Sequence, residues 1–345
     1  YKIARPPKED NPQQPSFEND DKIRSTENNV RYFYTGIYTQ LEYRLLPPLR
    51  LLPGIRFDYF NATKKVTIDP RVTFFYDLNE LWKLKGAFGW YHQSPQGDEI
   101  SEGFGNPDLE PEEAIHYVLG TEYQLTDDIS SDFQLFYKDM KNLVSTNITR
   151  NSDVLEGKNQ TDIADEPPYT NDGKGRSYGL EVFLRHKLRR NFFGWLSYTL
   201  SKSERFDPGN TDYRPFQLDQ RHILTLVGQY RFASSWEIGA KWRFISGSPE
   251  TPYNNSFFYA DSGEYIPIPG SLYSERKPPF HQLDMRIDRI FRFDTFIINA
   301  YLDVQNVYYH KNVEAYNYQF DFKKRDPIYG LSSIILPSVG LRGEF

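Results

Sequence analysis

Residues that could carry out chemistry are few and scattered in this sequence. The six histidines are spread along the chain, and three of them, His92, His222 and His310, lie close to the ends of predicted strands. Catalysis or metal binding would require such side chains to converge. The signatures of zinc proteases, serine hydrolases, phosphate-binding loops and dinucleotide-binding folds do not occur. We therefore predict no catalytic residue, no metal site and no cofactor, in a protein that is not an enzyme.

Aromatic and polar side chains at strand ends and in loops are instead the candidates for binding a small-molecule ligand. One group, at the predicted end of a strand, consists of Tyr91, His92 and Gln93. A second group, in a long polar segment, consists of Tyr253, Phe257, Phe258 and Tyr259. The same residues could instead pack the loops against one another, and the sequence leaves both interpretations open.

The composition limits the kind of protein that could present these residues. Aromatic residues make up 17% of the 345 residues, yet hydrophobic residues together reach only 38%. A soluble domain this polar would struggle to fill its core, whereas a wide membrane barrel needs apolar residues on its outer face only. The absence of cysteine excludes a disulfide scaffold, and the net charge of −6 argues against binding nucleic acid. The sequence contains no run of 18 apolar residues, so it predicts no transmembrane helix.

Alternation of apolar and polar residues, which is typical of strands with one exposed face, recurs along the chain. Trp242, for example, falls on the opposite face from Lys241 and Arg243. Thirteen spanning strands are predicted in this way, near residues 31–45, 50–60, 69–77, 82–92, 113–125, 129–146, 175–186, 191–202, 219–232, 235–246, 281–291, 295–307 and 332–345.

The alternation also predicts which residues face lipid. An Arg or Lys on the lipid face at mid-membrane costs ~2–4 kcal/mol, so the charged face should line the lumen. The residues predicted to face lipid are Trp236, Ile238, Trp242, Phe244, Leu283, Ile287, Phe296, Ile298 and Leu302. Those predicted to face the lumen are Lys241, Arg243, Asp284, Arg286 and Asp303.

The connections between the strands distinguish a barrel from a soluble sandwich. Short turns alternate with long polar segments, which are predicted at 93–112, 150–174, 203–218, 247–279 and 308–330. Short turns on one side and long loops on the other are typical of outer-membrane barrels, and a sandwich has no reason to sort its loops in this way. We therefore predict an all-β fold: a transmembrane antiparallel β-barrel in the bacterial outer membrane, surrounded by lipid, with the long loops at one rim.

Motifs that follow one another in a fixed order refine this prediction. One of them consists of Asn106, Pro107, Leu109, Pro111 and Glu112. The others are segments 52–59, 219–222, 303–308 and 340–345, the last of which ends in Phe345. In order and spacing these motifs resemble those of TonB-dependent outer-membrane transporters, from about residue 31 to the last residue.

The resemblance implies a barrel of 22 strands that surrounds an N-terminal plug domain. Thirteen predicted strands would leave the plug and nine strands to be supplied by the same or a second polypeptide. Residues 1–30 are then expected to be the remnant of an extracellular loop, and 31–345 the C-terminal portion of the barrel. Thirteen antiparallel strands cannot close on themselves, because the first and the last run in the same direction. We therefore expect these two strands not to pair with each other.

The resemblance also implies a function. It is the active uptake of a scarce nutrient, such as a ferric siderophore, cobalamin or an oligosaccharide, driven by the TonB complex acting through the plug. A lipoprotein that covers the loops is a further conceivable partner. The alternative is a passive pore or a structural barrel without TonB coupling.

Two of the motifs have a structural interpretation beside the functional one. Pro107 and Pro111 would stiffen the corner where a loop re-enters the wall, since each proline fixes its own φ and restricts the residue before it; direct ligand contact is the alternative. Phe345 resembles the terminal signal that is read by the outer-membrane assembly machinery, and it could equally be an aromatic residue at the membrane interface.

Overall fold

The computed structural model describes residues 2–4, 27–29, 33–101, 105–147, 167–260 and 263–345. Thirteen long strands of this part of the chain form one antiparallel sheet, as predicted. They are β1 Tyr34–Gln40, β2 Leu49–Phe60, β3 Lys65–Asp77, β4 Trp82–Gln93, β5 Glu112–Gln124, β6 Ile129–Thr146, β7 Tyr169–Arg189, β8 Phe192–Phe206, β9 His222–Ala233, β10 Trp236–Ile245, β11 Phe280–Arg292, β12 Ile297–Gln305 and β13 Leu336–Glu344. The described residues contain no helix that is long and apolar enough to cross a membrane.

The sheet is a meander, in which each strand pairs with the strands that precede and follow it along the chain. Because neighbouring strands are antiparallel, successive connections lie at opposite ends of the sheet. The connections at one end are short. Examples are 78–81, 125–128, 190–191, 234–235 and 293–296. At the other end, 61–64 is short, whereas 94–111, 147–168, 207–221, 246–279 and 306–335 are long. The prediction that the long loops share one rim is confirmed, although most of the loop predicted at 150–174 lies outside the described residues.

Several strands extend further towards the long loops than the alternation predicted. Strand β7 begins at Tyr169 rather than near 175, and β8 continues to Phe206 rather than ending near 202. Beyond the hydrocarbon layer a strand no longer needs an apolar outer face, so the alternation fades while the backbone pairing continues. The first predicted strand is also interrupted, because Tyr43–Leu46 pairs with β2 separately from β1.

Short strands within the loops form separate small sheets. Tyr253–Tyr259 pairs with Glu264–Pro269, and Val313–Tyr318 pairs with Arg325–Tyr329. Near the start of the chain, Lys2–Ala4 pairs with Glu27–Asn29, apart from the large sheet. Most of residues 1–30, predicted to be a loop remnant, lie outside the described residues.

The two faces of the sheet differ in polarity, and burial is inverted relative to a soluble protein. Among the described residues, the buried side chains comprise sixteen polar or charged residues but only four hydrophobic ones. Asp284 is 6% exposed, whereas Val339, on the opposite face, is 79% exposed. Such a sheet buries its polar face and presents apolar side chains outward, which suits a lipid environment.

The strand register confirms which residues share a face. Lys241 lies opposite Asp284, and Arg286 lies opposite Asp303, so the predicted lumen residues form one polar face. Trp242 lies opposite Leu283 on the other face. The remaining residues predicted to face lipid lie on this apolar face, apart from Phe296, which immediately precedes β12.

Two belts of aromatic side chains border the apolar face. The upper belt, near the long loops, runs through Phe88, Tyr117, Tyr137 and Tyr178, with ring centroids 5.3, 6.4 and 6.2 Å apart in that order. The lower belt contains the pairs Trp82–Tyr123, Phe232–Trp236 and Phe296–Phe345. On β4, Trp82 and Trp90 are eight residues apart, which is about 26 Å along a strand and about 20 Å along the membrane normal at an outer-membrane barrel's tilt. That spacing fits an apolar band of about 25 Å between aromatic girdles.

The two edge strands of the sheet, β1 and β13, do not pair with each other in the described part of the chain. Among the described residues, β1 pairs in the sheet with β2 alone, and β13 with β12 alone. This agrees with the expectation that thirteen antiparallel strands cannot close into a barrel by themselves.

Candidate ligand-binding site in the upper lumen

A cavity of about 820 Å³ opens on the polar face of the sheet near the long loops, and we call it the upper-lumen cavity. It is lined by Tyr34, Arg56, Asp58, Phe60, Asp69, Tyr91, His92, Gln93, Ser94, Pro95, Gln96 and Gly97. The register explains why the strand residues converge, since Tyr34 pairs with Phe60 and Arg56 pairs with Asp69 on the same face. All three residues of the first predicted ligand-binding group line this cavity.

The position of His92 departs from the alternation. Its neighbours Tyr91 and Gln93 share a face, so strict alternation would direct His92 away from the lumen. Instead, the His92 Nδ1 atom lies 2.5 Å from Asp69 Oδ1. The pairing of β3 with β4 ends at Arg71 and Gly89, so beyond Gly89 the register with β3 no longer sets the direction of the β4 side chains, although β4 stays paired with β5 as far as Gln93.

Two buried carboxylates dominate the electrostatics of the upper-lumen cavity. Asp58 and Asp69 are each 6% exposed. The Arg56 guanidinium donates two hydrogen bonds to Asp58, at 2.5 and 2.7 Å, and His92 contacts Asp69. One arginine against two carboxylates leaves the lining with one formal negative charge when His92 is neutral.

Ser94 provides an unused hydrogen-bonding group in the cavity wall. It is 6% exposed, and its hydroxyl has no hydrogen-bond partner within the described part of the chain. A buried hydroxyl normally has a partner. Sequence reasoning did not single out this residue, because a serine that follows a strand carries no distinctive signal.

The loop after β4 holds this wall in place through a small core of its own. Ile100, Ser101 and Leu109 are 5%, 0% and 1% exposed. The Gly105 amide donates to Ser101 O at 2.8 Å, and the Asn106 amide donates to Glu99 O at 2.6 Å. The loop is therefore a packed unit that borders the cavity.

Glu99 makes the stability of this loop depend on pH. Burial raises the pKa of the Glu99 carboxyl above its ordinary value, although the Gln96 amide, which donates to it at 2.7 Å, acts in the opposite direction. An acid with a raised folded-state pKa binds its proton more tightly in the folded state. The loop should therefore be most stable below the ordinary pKa, and it should lose stability as the pH rises through the raised one.

We expect Glu99→Gln to remove this pH dependence, because the amide can still accept the Gln96 hydrogen bond without becoming charged. The measurement is the hydrogen-exchange protection of residues 96–101 between about pH 4 and 7, which reports the stability of the loop. Asp108→Asn, at an exposed position of the same loop, is the control, because Asp108 is not among the groups that shift the Glu99 pKa; it should keep the pH dependence of the parent protein. If protection in Glu99→Gln depends on pH as it does in the parent protein, Glu99 is not the source of the pH dependence.

The motif that contains Asn106 anchors the same loop to the wall. Asn106 Nδ2 donates to Tyr169 O at 2.9 Å, and Glu112 Oε1 accepts the Val144 amide at 3.0 Å. Leu109 is buried beneath them. The five motif residues Asn106, Pro107, Leu109, Pro111 and Glu112 are not among those that line the upper-lumen cavity. These contacts favour the structural interpretation, and ligand contact by the motif stays a prediction.

Asn171 completes this anchor and was not predicted. Its side chain accepts the Glu110 amide at 2.8 Å and donates to the carbonyls of Glu110 and Asn142, at 3.0 and 2.8 Å. It ties the loop to β6 and β7, which are distant from it in sequence.

The second predicted group lies elsewhere. Tyr253, Phe257, Phe258 and Tyr259 belong to one hairpin of the loop 246–279 and do not line the upper-lumen cavity. Tyr253 packs on Tyr318 and Phe322 of the neighbouring long loop, with centroids 4.8 and 5.2 Å apart. Loop packing thus accounts for Tyr253, and ligand contact by the four residues stays a prediction.

A buried ion pair joins the loop 246–279 to the loop 207–221. Asp219 is 2% exposed, accepts the Ser203 amide at 2.7 Å and pairs with the Arg276 guanidinium. Arg276 Nη1 also donates to Gly247 O at 3.0 Å. Asp219 lies in a motif that the sequence identified, but its partner 57 residues away could not be found from spacing alone.

Comparison with known proteins identifies the family. The family model described as "TonB dependent receptor-like, beta-barrel" matches residues 3–307. The chain belongs to the TonB-dependent receptor family. It is accordingly an outer-membrane protein of a non-enzymatic family, as predicted, and its long antiparallel sheet matches part of the receptor barrel.

Individual relatives agree with this assignment. The iron-regulated outer membrane virulence protein of Vibrio cholerae is 26% identical over 239 residues, which cover 65% of this chain and 36% of that protein. The pyoverdine receptor FpvA of Pseudomonas aeruginosa, solved with bound pyoverdine, has the same fold, with a TM-score of 0.63, 17% identity and coverage of 90% of this chain and 42% of that one. The ferric-catecholate import receptor Fiu of Escherichia coli K12 gives a TM-score of 0.58 and 16% identity, covering 90% and 44%. The chain thus spans about a third to a half of the length of these relatives.

Proposed function

We propose that this TonB-dependent receptor takes up a ferric siderophore across the outer membrane and that the upper-lumen cavity forms part of its ligand site. The observation that carries the proposal is the convergence of Tyr91, His92, Gln93 and Ser94 on one cavity at the long-loop rim, where the Ser94 hydroxyl has no hydrogen-bond partner among the described residues. Among the nutrients considered, iron complexes are favoured because the relatives above are iron-regulated, bind pyoverdine or import ferric catecholates.

Completion of the barrel is part of the proposal. Unpaired backbone groups at a strand edge in hydrocarbon cost several kcal/mol each. The outer edges of β1 and β13, which pair with no further strand in the described part of the chain, therefore need partners. We infer that further strands, from the same or a second polypeptide, close the wall around a plug that contacts TonB. Residues 31–345 would then form the C-terminal portion of the barrel, and 1–30 an extracellular loop segment.

Uptake assays distinguish this function from a passive pore. Cells that depend on this gene under iron limitation should accumulate radiolabelled iron from a ferric catecholate or pyoverdine-type siderophore, and deleting tonB should abolish the accumulation. Uptake that persists without TonB would favour the passive pore instead. Cyanocobalamin and a maltooligosaccharide serve as probes for the two other nutrient classes, and active uptake of either one would redirect the ligand assignment.

The residues of the cavity are tested in the same cells. We expect Tyr91→Ala to weaken siderophore binding about tenfold, since a buried aromatic contact contributes roughly 1–2 kcal/mol. Tyr117→Ala, on the apolar outer face, removes the same ring without touching the cavity and should bind like the parent. Binding to whole cells at 4 °C, where transport is halted, is the measurement. Equal effects of the two substitutions would exclude the cavity as the site.

A further inference from the structure

A second groove, of about 780 Å³, lies on the apolar outer face of the sheet, where β6, β7 and β8 meet. Its lower part is lined by Leu135, Leu180 and Leu200, which are register partners across the three strands. Tyr137 and Tyr178 of the upper aromatic belt lie above these leucines. We call this feature the outer-wall groove.

The end of the outer-wall groove nearest the long loops is basic. Arg176 and Lys202 line it, and their side chains are 37% and 39% exposed. Both contact Glu204 at 2.7 Å, but that carboxylate is only 6% exposed and lies beneath them. Arg221 also lines the groove, with a side chain 48% exposed, and its guanidinium lies 3.8 Å from the buried Asp219 carboxylate. Arg176 and Lys202 are thus presented outward and outnumber the single carboxylate that orients them.

The basic side chains are held in position before any ligand arrives. The Arg176 guanidinium lies over the Tyr213 ring, 4.3 Å from its centroid, and donates through Nε to Glu204. Asp139, which lies opposite Arg176 in the register, contacts Lys141 at 3.5 Å. Arg176 therefore keeps hydrogen-bond donors available to an anion at the membrane surface.

We propose that the outer-wall groove binds a phosphorylated lipid of the outer leaflet. Its phosphate lies at Arg176 and Lys202, and an acyl chain runs along the three leucines. The arrangement matches such a molecule from end to end, because aromatic belts mark the level at which lipid headgroups meet hydrocarbon. Basic residues just beyond that level attract anionic headgroups.

The probe for this test is diphosphoryl lipid A, added to the complete barrel protein in neutral detergent, and the readout is the bound fraction in native mass spectrometry. Arg176→Gln combined with Lys202→Gln should weaken binding about 30-fold, since two basic residues at an anionic headgroup are removed. Lys138→Gln is the matched control, because Lys138 pairs with Ser177 at nearly the same height but on the polar face. The triple variant that adds Glu204→Gln shows whether a carboxylate left without partners distorts the result.

Selective retention of diphosphoryl lipid A by the parent and by Lys138→Gln, with loss in the double and triple variants, supports the proposal. Dephosphorylated lipid A should bind the parent about as weakly as lipid A binds the double variant. The proposal is overturned if the parent binds the two lipids equally, or if the double and triple variants bind diphosphoryl lipid A as well as the parent does. Complete displacement by millimolar inorganic phosphate would overturn the lipid assignment in favour of a simple anion site.

Discussion

Leu196→Arg will destabilise the barrel by about 2–4 kcal/mol, whereas Ser197→Arg will change its stability by less than about 1 kcal/mol. The two residues are adjacent in β8 but lie on opposite faces. Leu196 is flanked in the register by Leu184 and Leu226 on the apolar face, and Ser197 by Phe183 and Thr225 on the polar face. An arginine at 196 must bring its charge into hydrocarbon, and an arginine at 197 can remain in the polar lumen.

The measurement is the free energy of unfolding of the complete barrel, obtained by denaturant titration in lipid vesicles. Because both variants introduce the same side chain one residue apart, strand propensity and net charge cancel in the comparison. Equal losses would mean that the sheet does not separate lipid from lumen at this level. A larger loss for Ser197→Arg would reverse the assignment of the faces.

The second large effect is expected at Asp284, which organises the polar face of β10 and β11. Its carboxylate contacts Lys241 at 3.0 Å and Arg243 at 3.8 Å, and it accepts the Asn306 amide at 3.1 Å. Asp284→Ala removes the shared partner of two cations and of two buried amides, the Asn306 backbone amide and the Gln282 side-chain amide. The side chains of the two cations left behind are 45% and 36% exposed and stay solvated. Each buried amide left without an acceptor costs about 1–3 kcal/mol, so we expect the free energy of unfolding to fall by about 2–4 kcal/mol.

Asp303→Asn is the control for this prediction. Asp303 lies on the same face, one strand away, but is more exposed and takes part in no ion pair within the described part of the chain. We expect its loss to be below about 1 kcal/mol. In a double-mutant cycle with Lys241→Met, the second substitution should recover part of the Asp284→Ala loss. Strictly additive losses would show that the 3.0 Å contact contributes nothing to stability.

In the loops, the sequence alone does not distinguish residues that line a cavity from residues that pack one loop against another. Both candidate groups for ligand binding were chosen by residue type and by position at a strand end or in a loop. The fold gathers Tyr91, His92 and Gln93 on one cavity, and it places Tyr253 in contact with a neighbouring loop. Residue type does not distinguish these outcomes, because an aromatic ring suits a ligand and a loop core equally well.

The sequence by itself determined the strands, their faces and the rim that carries the long loops. These properties follow from local geometry: side chains alternate along a strand, and one face must be apolar where it meets lipid. Only the tertiary structure decided where strands end beyond the hydrocarbon, as at Tyr169 and Phe206, where polarity no longer constrains the outer face. It alone also joined Asp219 to Arg276 and Asn171 to Glu110, which are 57 and 61 residues apart. Such contacts depend on how separate loops fold over the rim, and the alternation of residues within a single strand does not predict them.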